Sequence, residues 1–128
     1  MSDASTFWKD AILNHTYRNT VNASPVAVFV ALSTTAIADD GSGIAEPVGN
    51  AYARRAVVFD APALGIILNQ LVTFVQATGS WGTLTDFAIF DAVTAGNMLS
   101  HDVLTAPLAV GNLDTARFQP GQLPVSLQ

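Results

Sequence analysis

The spacing of large apolar side chains changes once along the chain, near Pro25. In residues 5–18 these side chains recur at the three- and four-residue spacing of one helix face, and Asp3 or Ser5 is available as the N-cap. Pro25 ends the pattern because proline lacks an amide hydrogen and disfavours helix in the residue before it. The sequence therefore predicts one helix in an N-terminal arm of residues 1–20, with the stripe Phe7, Trp8, Ala11, Ile12 and His15.

After Pro25 the pattern is typical of β-strands. Residues 26–32 are rich in β-branched side chains and apolar on both faces, as in a central strand covered on both sides. Residues 39–49 have the composition of a loop, and further strands are predicted at 52–59, 66–74, 84–91, 97–105, 116–119 and 123–127. Short strands at this spacing favour an antiparallel β-sandwich or jelly-roll-like barrel over βαβ units. We expect a mainly β fold in a single domain of residues 1–128, with residues 120–128 as a C-terminal strand or tail.

The segment of residues 81–92, WGTLTDFAIFDA, combines aromatic and acidic residues and invites a catalytic interpretation. Paired carboxylates act on a substrate only when they converge on one cleft. Asp86 and Asp91 are separated by an odd number of positions, so a regular strand directs them to opposite faces. Phe87 and Ile89 then share one face, and the residue after each faces the other way. This pattern predicts a strand that is buried on both faces and ends at Asp91 in a turn.

Other combinations of reactive residues are no more favourable. Ser100, His101 and Asp102 are adjacent, so they cannot form a hydrolase triad from one strand, and the chain has no G-x-S-x-G motif. The two histidines have no metal-binding spacing, and the absence of cysteine excludes thiol catalysis and thiolate sites. The loop of residues 39–43, DDGSG, lacks the alternating acids and final glutamate of an EF-hand, which favours an ordinary solvated turn. We expect no enzyme activity, no catalytic residue, no metal and no cofactor.

Charge limits the range of partners. Ten acidic and five basic residues give a net charge of −5, which argues against nucleic acid binding. Arg54 and Arg55 are adjacent but would face opposite sides of a strand. Only 12% of residues are charged, about half the usual share, which indicates a surface covered by neighbouring subunits or, alternatively, a compact monomer with a Ser, Thr, Asn and Gln surface. No apolar run approaches the roughly 18 residues of a membrane helix, and the N-terminus lacks secretory signal features, so we expect no membrane partner.

Tryptophans are the strongest candidates for contact with a partner, because they bury a large area at low entropic cost. Trp8 lies on a helix that a sandwich does not need for its core, so we expect this helix to contact another subunit. Trp81 precedes a turn at Gly82, and packing on its own sheet is an equally good interpretation. The predicted interface residues are Phe7, Trp8, Ile12, Arg54 and Trp81.

Several segments, in this order and spacing, resemble a known family: LNHTYRNT at 13–20, VAVFVALST at 26–34, YAR at 52–54, WGTLTDFAIFDA at 81–92, LTAPLAV at 104–110 and D-x-x-R-F-x-x-G at 114–121. The chain resembles small virion proteins of tailed bacteriophages, which are often labelled tail fibre or minor structural proteins. It departs from the pattern at Ala51, where many relatives have glycine, and at His101 and Asp102, where relatives have an aromatic residue followed by glycine. The resemblance implies no catalytic residues.

The resemblance implies a structural protein located in the virion and assembled in the host cytoplasm. Its partners would be further copies of itself, as a trimer for example, and other virion proteins such as the major capsid protein. We expect a capsid-stabilising cement protein, because a long fibre is normally built from repeats or coiled coil, which this chain lacks. A tail-fibre, tail-tip or collar component is the alternative. A host-glycan receptor site at Trp81 and the loop of residues 39–50 is a further hypothesis, and a small hydrolase is the least favoured.

Overall fold

The computed structural model describes residues 3–126, which form ten elements. The helix is α1 (Thr6–Tyr17), and the strands in chain order are β1 (Asp3–Ala4), β2 (Val28–Ser33), β3 (Arg55–Val57), β4 (Ile66–Ile67), β5 (Val72–Thr73), β6 (Gly82–Phe90), β7 (Met98–Val110), β8 (Arg117–Phe118) and β9 (Val125–Ser126). No helix among these residues is long and apolar enough to span a bilayer.

The main sheet has five antiparallel strands in the order β1-β7-β6-β2-β3. Strand β6 is central and pairs with β2 from Phe29 opposite Phe90 to Ser33 opposite Asp86. The register of its pairing with β7 shifts twice, between Leu84 and Asp86 and between Ile89 and Phe90. The apolar runs of β2 and β6 therefore occupy the middle of the sheet, where both faces can be covered.

A ribbon made from residues 66–77 and 113–126 covers one face of the sheet. Its ladders are β4 with β9 and β5 with β8. The ribbon continues through a hydrogen bond from Phe74 N to Ala116 O, and it joins the sheet edge at the bridge between Phe59 and Asn69. The main core lies between the two layers and consists of Val30, Leu32, Val57, Val72, Phe74, Ala77, Trp81, Leu84, Phe87, Ile89, Leu104, Val110, Ala116, Phe118 and Leu123. The mainly β antiparallel fold with one N-terminal helix is confirmed.

The opposite face of the sheet carries a smaller apolar cluster of Ala31, Ile37, Ala88, Phe90 and Met98, with Ile44 packed against it. Residues 34–50 supply Ile37 and Ile44, so this loop covers the second face. Phe87 and Ile89 belong to the main core, whereas Ala88 and Phe90 belong to the smaller cluster. The prediction that this strand is buried on both faces is correct.

Helix α1 lies beside β7 and contributes no fully buried residue. Ser5 is its N-cap and accepts a hydrogen bond from Trp8 N at 3.1 Å, while the Ser5 hydroxyl donates to Met98 O. Asp3 is not the cap, because it lies in β1 and pairs with His101 of β7. Trp8 and Ile12 are half-buried, whereas Phe7, Leu13 and Tyr17 are 42%, 53% and 78% exposed. The predicted helix exists, but its packing on this chain is slight.

Several strand boundaries differ from the sequence-based predictions. The strand expected at 52–59 is reduced to β3, because Tyr52 and Arg54 bind side chains instead of joining a ladder. The strand expected at 66–74 is divided into β4 and β5 around the buried Asn69. The strand expected at 97–105 extends to Val110. The C-terminal strand predicted at 123–127 is β9, and Leu127 lies outside the described residues.

Candidate functional site

A concave pocket of about 330 Å³ opens where α1, the loop of residues 39–44 and the β6–β7 turn meet. We call it the Phe7 pocket. Its lining residues are Ser5, Phe7, Asp39, Asp40, Gly41, Ile44, Arg54, Phe90, Ala95, Gly96, Asn97 and Met98. The pocket therefore combines an exposed aromatic ring, two carboxylates, an amide and a guanidinium with apolar side chains such as Ile44 and Met98.

Arg54 lies at the base of the Phe7 pocket with its side chain only 8% exposed. Its Nε and Nη2 donate to the two Glu46 carboxylate oxygens at 3.0 and 2.9 Å, and its Nη1 donates to the carbonyls of Ala92 and Ala95. The guanidinium carbon lies 3.7 Å from the centre of the Phe90 ring, a cation–π contact. Arg54 thus connects the loop, β3 and the β6–β7 turn within one chain.

Glu46 and Tyr52 complete this network. The Tyr52 hydroxyl donates to Glu46 Oε1 at 2.7 Å and accepts from Leu32 N at 3.0 Å. Burial alone would raise the pKa of Glu46, but the hydrogen bonds from Arg54 and Tyr52 and the Arg54 charge outweigh burial and hold that pKa below its ordinary value. Burial, followed by the hydrogen bond to the Glu46 carboxylate, raises the pKa of Tyr52 far above its ordinary value. The carboxylate is therefore ionised and the phenol neutral at neutral pH.

Asp39 forms one wall of the pocket and connects three elements. Its Oδ1 lies 2.8 Å from His101 Nε2 in β7, and its Oδ2 accepts from Lys9 Nζ of α1 at 3.1 Å. Its backbone carbonyl accepts from Thr6 N at the start of the helix. The hydrogen bond with His101, followed by that with Lys9, lowers the pKa of Asp39. Asp39 is thus an ionised side chain that ties α1 to the sheet.

Asp3, Asp39 and His101 each place one possible metal-ligand atom within 4.8 Å of the others. The sequence predicted no metal site, and these three residues come from separate parts of the chain, so spacing gives no sign of the cluster. Both Asp39 oxygens already bind His101 and the Lys9 ammonium. A positively charged amine at that position opposes a second cation. Lys9 and Asp39 form a partly exposed ion pair, and His101 Nε2 shares the same carboxylate.

The rest of the loop is the solvated turn that its composition predicted. Asp40 Oδ1 accepts from Ser42 N at 2.9 Å, an Asx turn, and hydrogen bonding from Ser42 lowers the Asp40 pKa. Asp40 is exposed at the rim of the Phe7 pocket.

The β6–β7 turn forms the opposite wall. Asp91 Oδ1 accepts from Asn97 N at 2.7 Å, and Asp91 Oδ2 accepts from Asn97 Nδ2 at 3.1 Å. Gly96 has a φ of +77°, and a Cβ there would lie 2.5 Å from Asp91 Oδ1, so glycine is required. As predicted, β6 ends and Asp91 enters a turn, while Asp86 lies buried in the sheet with its Oδ1 accepting from the Thr85 hydroxyl.

The predicted interface residues fall into two groups. Phe7, Trp8 and Ile12 lie on α1 and keep exposed area, which is compatible with contact to another subunit. Trp81 is only 3% exposed, and its Nε1 donates to Asn50 O at 2.9 Å. Its ring packs edge-on to Tyr52, with 5.2 Å between centroids, in the main core. Trp81 and Arg54 therefore bind within their own chain and offer little surface to a partner.

A second, apolar cavity of about 140 Å³ lies beneath Trp8. It opens between β1 and β9 and is bordered by core side chains, including Phe59, Ile89 and Leu99. Its walls contain almost no polar group, so it offers a place for an apolar side chain but no chemistry. The remaining candidate triad does not assemble, because His101 binds Asp39, Asp102 accepts from Val103 N, and Ser100 pairs with Ala4 and Ile89 in the sheet.

The residues that sequence reasoning missed are Glu46, Tyr52 and Asn69. Glu46 and Tyr52 are six positions apart in a loop without periodicity, so no spacing rule connects them to Arg54. Asn69 is fully buried and binds four backbone groups of the ribbon. The one sign of its role in the sequence is that a polar asparagine lies within an apolar segment.

Comparison with known proteins agrees with the resemblance seen in the sequence. No protein in the curated set matches this chain. Residues 3–126 match the family model described as "Podophage GP4 fiber I protein gp80". Because this match covers nearly the whole chain, the protein belongs to the Podophage GP4 fiber I protein gp80 family, a family of phage virion structural or fibre proteins.

Proposed function

We propose that this chain is a non-enzymatic structural subunit of a phage fibre, carried on the virion. The observation that carries the proposal is the family match over residues 3–126. The structure is compatible with a structural role, because the Glu46, Asp39, Asp91 and His101 side chains bind partners within the chain. None of these contacts aligns a nucleophile with a base.

A fibre is long, whereas this chain has 128 residues and no sequence repeats, so the length of a fibre must come from association of subunits. We propose that copies associate through α1, the element that packs least on its own chain. Leu13 and Tyr17 lie one helical turn apart on its exposed face and are 53% and 78% exposed. Burying such side chains against another copy would stabilise an assembly by the hydrophobic effect. The chain would then act as a joint or a stacked unit, with length supplied by association.

The capsid-cement function, predicted because the chain lacks the repeats and coiled coil of a long fibre, stays a prediction. The family description supports the fibre instead. Immunogold labelling of intact particles with antibodies to this chain separates the two. Label on fibres or tails is the expected result, and label on heads alone would replace the fibre proposal with the cement function. If the chain is a fibre subunit, particles that lack it should keep the heat and osmotic stability of their heads, whereas loss of that stability would support the cement function.

Sedimentation velocity of the purified chain tests association through α1. We expect a defined oligomer for the wild-type chain and a monomer for the double variant Leu13→Asn, Tyr17→Asn. Leu64→Asn is the matched control, because Leu64 is 102% exposed in a turn with a positive φ that asparagine tolerates. A double variant that associates like wild type would exclude this helix face as the contact.

A further inference from the structure

The Phe7 pocket has the chemistry of a small-ligand site, and its residues come from three separate parts of the fold. Its volume of about 330 Å³ is at the lower end of the range of about 300–1,000 Å³ that is usual for small-molecule sites. We propose that this pocket binds a neutral, polyhydroxylated ligand, a saccharide ring, with the ring of Phe7 as its stacking surface. The proposal goes beyond the structural role and does not depend on where in the virion the chain is placed.

The charges at the pocket disfavour simple ions of either sign. Asp39 and Asp40 supply negative charge, but Lys9 binds Asp39, and Arg54 lies at the base with its own counter-ion, Glu46. A free anion would meet the carboxylates of Asp39 and Asp40, and a free cation would have to compete with Lys9 for the Asp39 carboxylate. A neutral ligand rich in hydroxyl groups can instead donate to the carboxylates and accept from cationic N–H groups.

Arg54 offers one such donor. Its guanidinium has five N–H groups, and the contacts among residues 3–126 use four of them: one on Nε, two on Nη1 and one on Nη2. The second Nη2 hydrogen has no partner in the part of the chain described, although the side chain is 8% exposed and lines the pocket. A hydroxyl group bound in the pocket would give this second Nη2 hydrogen an acceptor.

The aromatic contact is provided by Phe7. Its side chain is 42% exposed at the mouth of the pocket, in the first turn of α1. The C–H face of a sugar ring packs on such a surface by the same apolar contact that favours aromatic pairs. Trp81, the residue that the sequence suggested for a glycan, is buried in the main core and cannot serve. The structure thus places the exposed aromatic ring of the pocket on α1, and Trp81 in the core.

An array of bacterial and neutral saccharides, probed with the full chain, tests the ligand class, followed by titration of the best neutral ligand by saturation-transfer NMR. We expect binding of neutral saccharides with a Kd of about 1 mM for a single ring. Phe7→Ala should weaken binding by about two- to tenfold, and Asp40→Asn should also weaken it, because both residues line the pocket. Both are exposed, so the fold should persist, as circular dichroism would verify.

Thr16→Ala is the control, because Thr16 is exposed on the same helix, does not line the pocket and is not part of the proposed association contact. It should leave saccharide affinity unchanged. Three results would overturn the proposal. They are binding of anionic saccharides alone, no binding of any saccharide, or wild-type affinity in both the Phe7→Ala and the Asp40→Asn variants. None of these results would bear on fibre localisation, which the immunogold experiment decides separately.

Discussion

The Arg54 guanidinium and the Glu46 carboxylate form a two-point ion pair, with Nε to Oε1 at 3.0 Å and Nη2 to Oε2 at 2.9 Å. The same guanidinium donates to the carbonyls of Ala92 and Ala95 and stacks on Phe90. A planar fork with several donors is what this geometry needs, and lysine cannot supply it. The Y-A-R motif that contributed to the family resemblance is therefore a structural motif, since Tyr52 binds the same carboxylate.

Replacing Arg54 by lysine should destabilise the fold. The substitution leaves Glu46 with a single-point contact and frees the carbonyls of the β6–β7 turn, so we expect the free energy of unfolding to fall by about 2–4 kcal/mol. Urea unfolding followed by tryptophan fluorescence measures the change. Arg117→Lys is the matched control, because Arg117 is exposed on β8, and it should change stability by less than about 0.5 kcal/mol. Equal effects of the two substitutions would contradict this role for Arg54.

The lowered pKa of Glu46 predicts how stability depends on pH. The unfolded chain has the ordinary glutamate pKa of about 4.3, so it takes up a proton before the folded chain does. The stability that Glu46 contributes is fully present above that value and is lost as the pH falls through the lower folded-state pKa. Urea unfolding at a series of pH values should show a steeper acid-side loss for wild type than for Glu46→Gln.

Asp40→Asn provides the comparison for that experiment. Hydrogen bonding from Ser42 also lowers the Asp40 pKa, but this residue is exposed, and its effect on stability is weakened by solvent. The acid limb of Asp40→Asn should therefore stay close to that of wild type. If Glu46→Gln showed an unchanged acid limb as well, the Arg54–Glu46 pair would not be the source of the pH dependence.

The sequence predicted best those elements whose own side chains decide their structure. Strand β6, predicted at 84–91, is observed at Gly82–Phe90. The prediction succeeded because the strand is apolar on both faces, and such a strand is stable only where both faces are buried. Helix α1 was predicted from its periodicity and ends within one residue of the predicted range. The packing of the helix was not predictable, because a stripe of apolar residues does not say whether its own chain or another covers it.

Features that depend on distant contacts were not predictable in the same way. Trp81 is predicted at an interface because tryptophan buries a large area at low entropic cost, and Arg54 is predicted there with it. Their burial depends on Asn50 O for the indole and on Glu46 for the guanidinium, and both partners lie in a loop without periodicity. Asn69 was placed inside a continuous strand, although its side chain binds the opposite half of the ribbon more than 50 positions away. Local propensity contains no information about such pairings.

Asn69 should be critical for the ribbon. Its Oδ1 accepts from the backbone N–H groups of Gly121 and Leu123, and its Nδ2 donates to the carbonyls of Gln70 and Gln119. Asn69→Ala removes the partners of Leu123 N and Gln70 O at a site that is 0% exposed, whereas Gly121 N keeps its bond to Asn69 O and Gln119 O keeps its bond from Gln122 N. We expect a loss of about 1–3 kcal/mol in the free energy of unfolding. Asn69→Asp should also destabilise, because it buries a charge and removes both donors. Chemical denaturation measures both.

Asn112→Ala is the control for this prediction, since Asn112 is exposed in a turn. It should be nearly neutral. A small effect of Asn69→Ala, comparable with that of Asn112→Ala, would show that water replaces the asparagine amide and that the ribbon does not depend on it.

Asp39 should control the local stability of α1 more than the stability of the whole chain. Its side chain is 48% exposed, so its ion pair with Lys9 should contribute at most about 1 kcal/mol to global stability. The helix, however, has no fully buried residue, and the Asp39 carboxylate connects its Lys9 to His101 of the sheet. The bond from Thr6 N goes to the Asp39 backbone carbonyl and is kept in Asp39→Ala. In Asp39→Ala, hydrogen–deuterium exchange of the α1 amides should become faster, while that of β2 and β6 stays unchanged. Asp10→Asn, which removes an exposed carboxylate from the helix itself, should not reproduce this local change, and uniform acceleration across the sheet in Asp39→Ala would show that the residue instead supports the entire fold.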